Sequence, residues 1–175
     1  LSDNGPEPMT KESKATPYRG KKWSALEGGT RVPCIIRWPG VIPAGQVNDG
    51  LAAAIDLLPT LSRACNIDLS SIAKRQPVID GLDLWRSLID QHEATGRKEL
   101  LYWHGSDGLQ AIRVDNWKLF LDQRHAGLKG GGPALFNLAH DVGERINLSE
   151  QFPDWVRAMS AQAMERLAEI QKSVI

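Results

Sequence analysis

QAIRVDNWKLFLD, residues 110–122, carries two strand-like runs, 110–114 and 117–122. Asp115-Asn116 stands between them, a two-residue signal for a tight β-hairpin. LLYWHG (100–105) and ALFNL (134–138) are strand-like as well, and AGLKGGGPA (126–134) reads as a flexible loop. These runs predict an antiparallel sheet of about three or four strands, which needs a cover on one face. The last segment offers it. Val156, Met159, Ala163, Leu167, Ile170 and Val174 are spaced 3, 4, 4, 3 and 4, one apolar face of an amphipathic helix. Pro153 and Asp154 suit its first turn.

Upstream the reading changes. Residues 90–99, DQHEATGRKE, are polar and link two lobes. Before them, Val32 to Trp38 reads as a short buried strand closed by Pro39-Gly40. Leu51 to Ile55 reads as an extended entry to a helix from Leu57 to Cys65. Pro59 is tolerated there only in the first turn, with Asp56 as N-cap. VIDGLDLWRSLI (78–89) predicts a turn and a short helix, with Leu84, Leu88 and Ile89 facing inward. Residues 1–31 are rich in Gly, Pro, Lys and Ser and read as a long loop, a kind of segment that is usually functional or disordered.

The 175 residues suit one domain with at most a small appendage. Formal net charge is zero, with 21 basic and 21 acidic residues. That argues against a nucleic-acid footprint and a polybasic membrane patch. No apolar run approaches the roughly 20 residues that cross a bilayer. Cys34 and Cys65 make neither a disulfide framework nor a zinc pattern, and both are expected to be buried thiols.

Two places can carry chemistry. Asp3-Asn4 pairs a carboxylate with an amide carbonyl, the hard oxygen ligands that Ca²⁺ or Mg²⁺ prefers. Gly5 allows a sharp turn beside them. Asp-Asn-Gly is also a common plain turn, and two ligands fall short of the six to eight or so that Ca²⁺ takes. Lys21 and Lys22 stand in a Gly-flanked loop before the expected strand. A lysine at a cleft stabilises a developing negative charge; the plain alternative is a solvated basic pair. Glu27 and Arg31 are expected to pair across the Gly28-Gly29 turn.

The ordered set resembles a known family. SDNG (2–5) is followed by RGKKWSALEGGTRVP (19–33), WPG (38–40), DLLPTL (56–61) and DGLDL (80–84). YWHG, IRVDNWKL and LFNLAHDVGERINL follow downstream. Together they are similar to the second half of a type I, formylglycine-dependent sulfatase of the alkaline phosphatase superfamily. Val142 stands where that family's last motif has proline. The resemblance implies an α/β fold, specifically the C-terminal portion of the sulfatase fold. Residues 1–95 would belong to the catalytic domain. Residues 96–175 would form an α+β subdomain of antiparallel strands covered by the C-terminal helix.

It also implies roles. Asp3 and Asn4 match the family's metal pair, normally on Ca²⁺, with Mg²⁺ as the substitute. Lys22, five residues before Glu27, matches the lysine that contacts the sulfate and helps neutralise the leaving oxygen. His104 falls where the smaller subdomain approaches the substrate, as a candidate contact. The Cys-x-Pro-x-Arg segment that supplies formylglycine is absent: Ile-Ile-Arg-Trp follows Cys34 and Asn-Ile-Asp-Leu follows Cys65. The expectation is a fragment, inactive alone, of an enzyme that hydrolyses sulfate esters. Its partners would be a sulfated small molecule or glycan and the missing N-terminal half. The family's habit is export to periplasm, extracellular space or lysosome. The alternatives are a phosphate or phosphonate ester hydrolase of the same superfamily, or a non-catalytic glycan-binding or docking lobe from about residue 97, with aromatics near Trp103.

Overall fold

The structure is a computed structural model and describes residues 1–175 apart from 10–13, 71–78, 91, 106–107 and 174–175. The chain forms two compact units, Leu1–Ile35 with Glu99–Ile175, and Ile36–Lys98.

The first unit is built on a four-stranded antiparallel sheet in the order β1-β2-β3-β4. The strands are β1 (Glu99–His104), β2 (Gly108–Val114), β3 (Trp117–Phe120) and β4 (Ala134–Asn137). The expected hairpin is present: Val114 pairs with Trp117, and Asp115 takes φ 50° in the connection. Positive φ is what a two-residue hairpin connection demands, and Asp bears it better than most residues. A register shift between Tyr102 and Trp103 bends β1.

Alternate side chains divide between the two faces. Ile112, Leu119 and Leu135 are fully buried under a long C-terminal helix (Pro153–Ser173), which contributes Met159 and Ala163, with Val156 beside them. The expected apolar stripe is the one that packs, as far as it reaches the sheet. Leu167 is half-buried and Ile170 is 37% exposed. A helix of 21 residues is about 32 Å long and outruns the strands it covers. Val174 lies outside the described residues. Gln162 and Arg166 tie the helix to Glu99 at the start of β1, the latter at 2.9 Å.

The opposite face carries Tyr102, Ala111, Phe120, Ala134 and Phe136. Phe120 and Phe136 meet edge-on, 5.9 Å between ring centres. The cover here is Ala126 from a 3₁₀ turn (Gln123–Ala126) and, from the far end of the sequence, Ala25 and Leu26. The sheet is thus a middle layer. The packing units do not follow the division at residue 95 read from the sequence, because the described residues of the first 35 fall in the sheet's own unit, with Ala25 and Leu26 packed on it.

Val32 to Trp38 differs from expectation. These residues join no ladder, since the sheet consists of β1 to β4 alone among the described residues. A strand needs a neighbour for its N–H and C=O groups. Ile35 is 87% exposed and the Cys34 thiol is exposed rather than buried. Cys65 is exposed too, because it caps the end of its helix instead of facing inward.

The second unit contains a 3₁₀ turn (Ala54–Asp56) and helices Leu57–Ala64 and Trp85–Ile89. Asp56 precedes the first helix as expected, but its side chain caps none of that helix's N–H groups. It accepts from the N–H groups of Ala53 (2.8 Å) and Leu82 (2.7 Å), and Arg97 Nε donates to it at 2.8 Å. Gly81 sits beneath this cluster: a Cβ there would lie 2.1 Å from the Ile55 carbonyl oxygen. Of the three residues expected inward in the short helix region, Leu84 is buried, Leu88 is half-buried and Ile89 is 37% exposed. A five-residue helix has only about one and a half turns, too few for three residues to share a face with full burial.

Asp56 makes stability depend on pH. Burial alone would raise its carboxyl, but Arg97 and the two N–H groups outweigh burial and hold it below its ordinary value. Such a group contributes stability that is present above its unfolded pKa, about 3.9. That stability is lost as pH falls through the folded value. Urea melts should therefore find Asp56→Asn less stable than the parent near pH 7, with the gap narrowing as pH falls below the ordinary carboxylate value. A gap independent of pH contradicts this account.

Candidate functional site

The two stretches singled out for chemistry meet in the first unit. Gly5 N–H donates to the Gly29 carbonyl (2.9 Å), and Lys22 N–H donates to the Pro6 carbonyl (3.0 Å). Gly28 N–H donates to the Arg19 carbonyl (2.7 Å). Segments 3–6 and 19–29 are therefore laced together main chain to main chain. The long loop expected at residues 1–31 has a defined path over its described residues.

The glycines make this lacing sterically feasible. A Cβ on Gly5 would lie 1.9 Å from the Gly28 oxygen; on Gly28, 2.5 Å from the oxygens of Arg19 and Gly20; on Gly29, 2.2 Å from the Ser24 oxygen. All are backbone atoms with nowhere to retreat. Gly28→Ala is expected to cost about 1–3 kcal/mol, the usual range for overpacking. Gly131→Ala, whose Cβ would meet nothing within 4 Å, should stay within about 0.5 kcal/mol. Thermal melts of both variants decide it, and equal shifts would contradict the packing argument.

Asp3 is exposed and Asn4 half-buried, side by side at the start of this arrangement. Lys22 is half-buried, with its Nζ 3.7 Å from Glu7 Oε2 and 5.3 Å from the Trp23 ring centre. Exposed pairs of that length are worth under about 1 kcal/mol, so they leave the ammonium available to an anion. Trp23 turns the loop with φ 68° and is 67% exposed. His104 ends β1 opposite Gly108, half-buried.

Asp3 and Asn4 are donors of the right chemistry for a hard cation. They fit as part of an oxygen set, not as the whole of one. Among the described residues there is no group of three or more His, Cys, Asp or Glu that could hold a metal.

A buried charge cluster, not anticipated from the sequence, lies behind the loop. Glu27, 2% exposed, was expected to pair with Arg31. Instead its Oε1 accepts from Lys118 Nζ (2.8 Å), and Arg113 lies 3.6 Å from its Oε2. Arg31 stacks on the Tyr18 ring at 4.8 Å. Lys118 has no exposed surface. Its Nζ also donates to the Ala25 carbonyl (2.6 Å), lies 4.1 Å from the Tyr102 ring centre, and sits 3.0 Å from Glu144 Oε1. Glu144 Oε2 accepts from Glu27 N–H (2.7 Å). The Lys118–Glu144 approach is ionic and badly directed, so Oε1 accepts no proper hydrogen bond. Burial accordingly pushes the Glu144 carboxyl above its ordinary value, with Lys118 only partly opposing it. Burial also works against the charge on Lys118, but Tyr102, Glu27 and Glu144 outweigh it, and the ammonium persists.

Arg19 completes the arrangement. Its Nε donates to the Gly143 carbonyl (3.2 Å) and its Nη2 to the Glu144 carbonyl. Arg19 and Lys118 were visible only as parts of RGKKWSALEGGTRVP and IRVDNWKL. Glu144 was visible only as part of LFNLAHDVGERINL.

Among the described residues no helix is long and apolar enough to cross a membrane. Residues 1–67 match the sulfatase family model. The chain is 32% identical over 159 residues to steryl-sulfatase from Mus musculus, covering 77% of this chain and 25% of that protein. It is 30% identical over 187 residues to arylsulfatase A from Bos taurus, covering 95% and 36%. A crystal structure of a sulfatase from Pseudoalteromonas sp. superposes with a TM-score of 0.82 at 27% identity, over 98% of this chain and 36% of that one. The chain thus spans about a quarter to a third of the relatives it matches. On motifs, fold and relatives together, the chain belongs to the sulfatase family.

Proposed function

We propose that the protein of which these residues form part hydrolyses sulfate esters, R–O–SO₃⁻, to an alcohol and sulfate, and that Asp3, Asn4 and Lys22 belong to its site. The observation that carries this reading is the lacing of Gly5 to Gly29 and Lys22 to Pro6. It sets two oxygen donors and a lysine on adjoining backbone, the pairing that sulfate chemistry needs.

The bond that breaks joins sulfur to the bridging oxygen, and negative charge grows on that oxygen. Lys22 binds the sulfate and places its ammonium where that charge develops, stabilising the transition state more than the ground state. Asp3 and Asn4 hold a Ca²⁺ ion together with donors from elsewhere in the parent protein. When bound, such an ion supplies a Lewis acid towards the sulfate oxygens. His104 is a substrate contact on the sheet side. The family's formylglycine arises from a Cys-x-Pro-x-Arg segment that these residues lack. On this reading the nucleophile comes from another part of the parent. Substrates are sulfated small molecules or glycans.

The test uses the full-length protein and 4-nitrophenyl sulfate. Turnover should disappear on chelation and return with Ca²⁺, and Asp3→Ala should need at least ~10-fold more Ca²⁺ for half-maximal rate, as when one charged ligand is lost. Turnover indifferent to chelation, or an Asp3→Ala variant with the parent's Ca²⁺ requirement, removes Asp3-Asn4 from the site.

A further inference from the structure

We infer that Arg19, Lys118 and Glu144 are positioning residues for Lys22, anchoring both ends of its loop to the antiparallel sheet unit. The inference rests on the role of Lys22 proposed above. The loop runs from Arg19 to Glu27. At its start, the Arg19 guanidinium binds the carbonyls of Gly143 and Glu144. At its end, Lys118 Nζ holds the Ala25 carbonyl and the Glu27 carboxylate, and Glu144 Oε2 holds Glu27 N–H. Glu144 thus touches both ends, by its main chain at Arg19 and its side chain at Glu27. It does so at φ 52°, a left-handed backbone that a glutamate adopts at a cost.

Two of these bonds end on main-chain atoms of the loop, at Ala25 and Glu27, and the Arg19 side chain roots its first residue. They determine where the chain runs rather than touching Lys22 itself. Between the anchors, Ser24 N–H closes a turn onto the Lys21 carbonyl (3.1 Å), and Lys22 N–H reaches Pro6. A buried ion cluster is a poor way to gain stability compared with apolar packing. Its directionality is what apolar packing lacks. A charge that must meet a growing negative oxygen has to be held within about 0.5 Å, and a misplacement of about 1 Å costs up to ~100-fold in rate.

Two variants of the full-length protein test this. Lys118→Met with Glu144→Gln removes both charges together, leaving Glu27 to Arg113. Arg19→Ala leaves the buried cluster whole. Each should lower kcat on 4-nitrophenyl sulfate ~10- to 100-fold with KM changed less than ~3-fold. On a Lys22→Ala background each should cost less than ~2-fold more, because the anchors act through a lysine that is gone. Hydrogen exchange at Lys22 and Ser24 N–H should quicken in Arg19→Ala while the β2–β3 amides keep their protection. Losses that multiply on the Lys22→Ala background, or anchors without effect where Lys22→Ala is slow, overturn the inference alone. An unimpaired Lys22→Ala overturns the proposed role of Lys22 and the inference with it.

Discussion

Lys118→Ala is expected to destabilise the chain by about 3–5 kcal/mol, the range for removing one partner of a buried ion pair. This is a large share of the 5–15 kcal/mol or so that a domain has in total. Three effects combine. The ammonium is the closest cation to two carboxylates, Glu27 at 2.8 Å and Glu144 at 3.0 Å, both essentially without exposure. Its loss leaves Arg113, at 3.6 Å from Glu27, as the remaining cation of the cluster. It also leaves the Ala25 carbonyl without this donor and opens a space against Tyr102. Urea unfolding followed by tryptophan fluorescence measures the loss.

The pH dependence of that variant carries a definite sign. With Lys118 gone, only the hydrogen bond from Glu27 N–H still opposes, among the contacts of Glu144, the burial that already raises its carboxyl. A carboxyl with a raised folded pKa binds more protons in the native than in the unfolded state, so stability falls as pH rises. Lys118→Ala should regain part of its lost stability on acidification through the carboxylate range. Replacing Lys118 with Met, and Glu27 and Glu144 both with Gln, should cost far less than Lys118→Ala, since no charge is left unpaired. A Lys118→Ala loss below about 1 kcal/mol would mean that the cluster matters little to folding.

Lys22→Ala in the full-length protein should lower kcat on a sulfate ester by about 100-fold or more, the usual effect of removing one group that stabilises developing charge. KM should change much less, because the charge on the bridging oxygen exists only as the bond breaks. Lys22→Arg keeps the charge but not the compact ammonium, and should recover part of the rate. The ion pair with Glu7 is long and partly exposed, so its loss should leave the melting temperature nearly unchanged. A normal kcat in Lys22→Ala removes this residue from the mechanism.

The sheet was legible because its signals are local. Asp115-Asn116 marks the hairpin within four residues of sequence, and the helical stripe from Val156 to Ala163 repeats at a fixed period. Lys22 and Asp3-Asn4 were legible as motif positions, though nothing in composition or spacing placed them together. That took Gly5, Gly28 and Gly29, whose close approaches appear only once the backbone is folded. The partner of Glu27 was misread. Arg31 is four residues away in sequence, while Lys118 is 91 away and Glu144 is 117 away. A lysine inside WKLF looks like the polar face of a strand, and only a charged partner arriving from the other end of the chain lets it be buried. The Val32–Trp38 run shows the converse. Its residues favour a strand, but a strand is a pairing rather than a composition, and no strand pairs with it among the described residues.

The most direct test of the central claim is to offer the full-length protein 4-nitrophenyl sulfate and 4-nitrophenyl phosphate side by side, with Ca²⁺ present, and compare kcat/KM. The account predicts turnover of the sulfate ester with a clear preference over the phosphate. Turnover of the phosphate without the sulfate would contradict it and move the site to phosphate ester chemistry. Turnover of neither would leave the sheet-bearing part as a binding lobe.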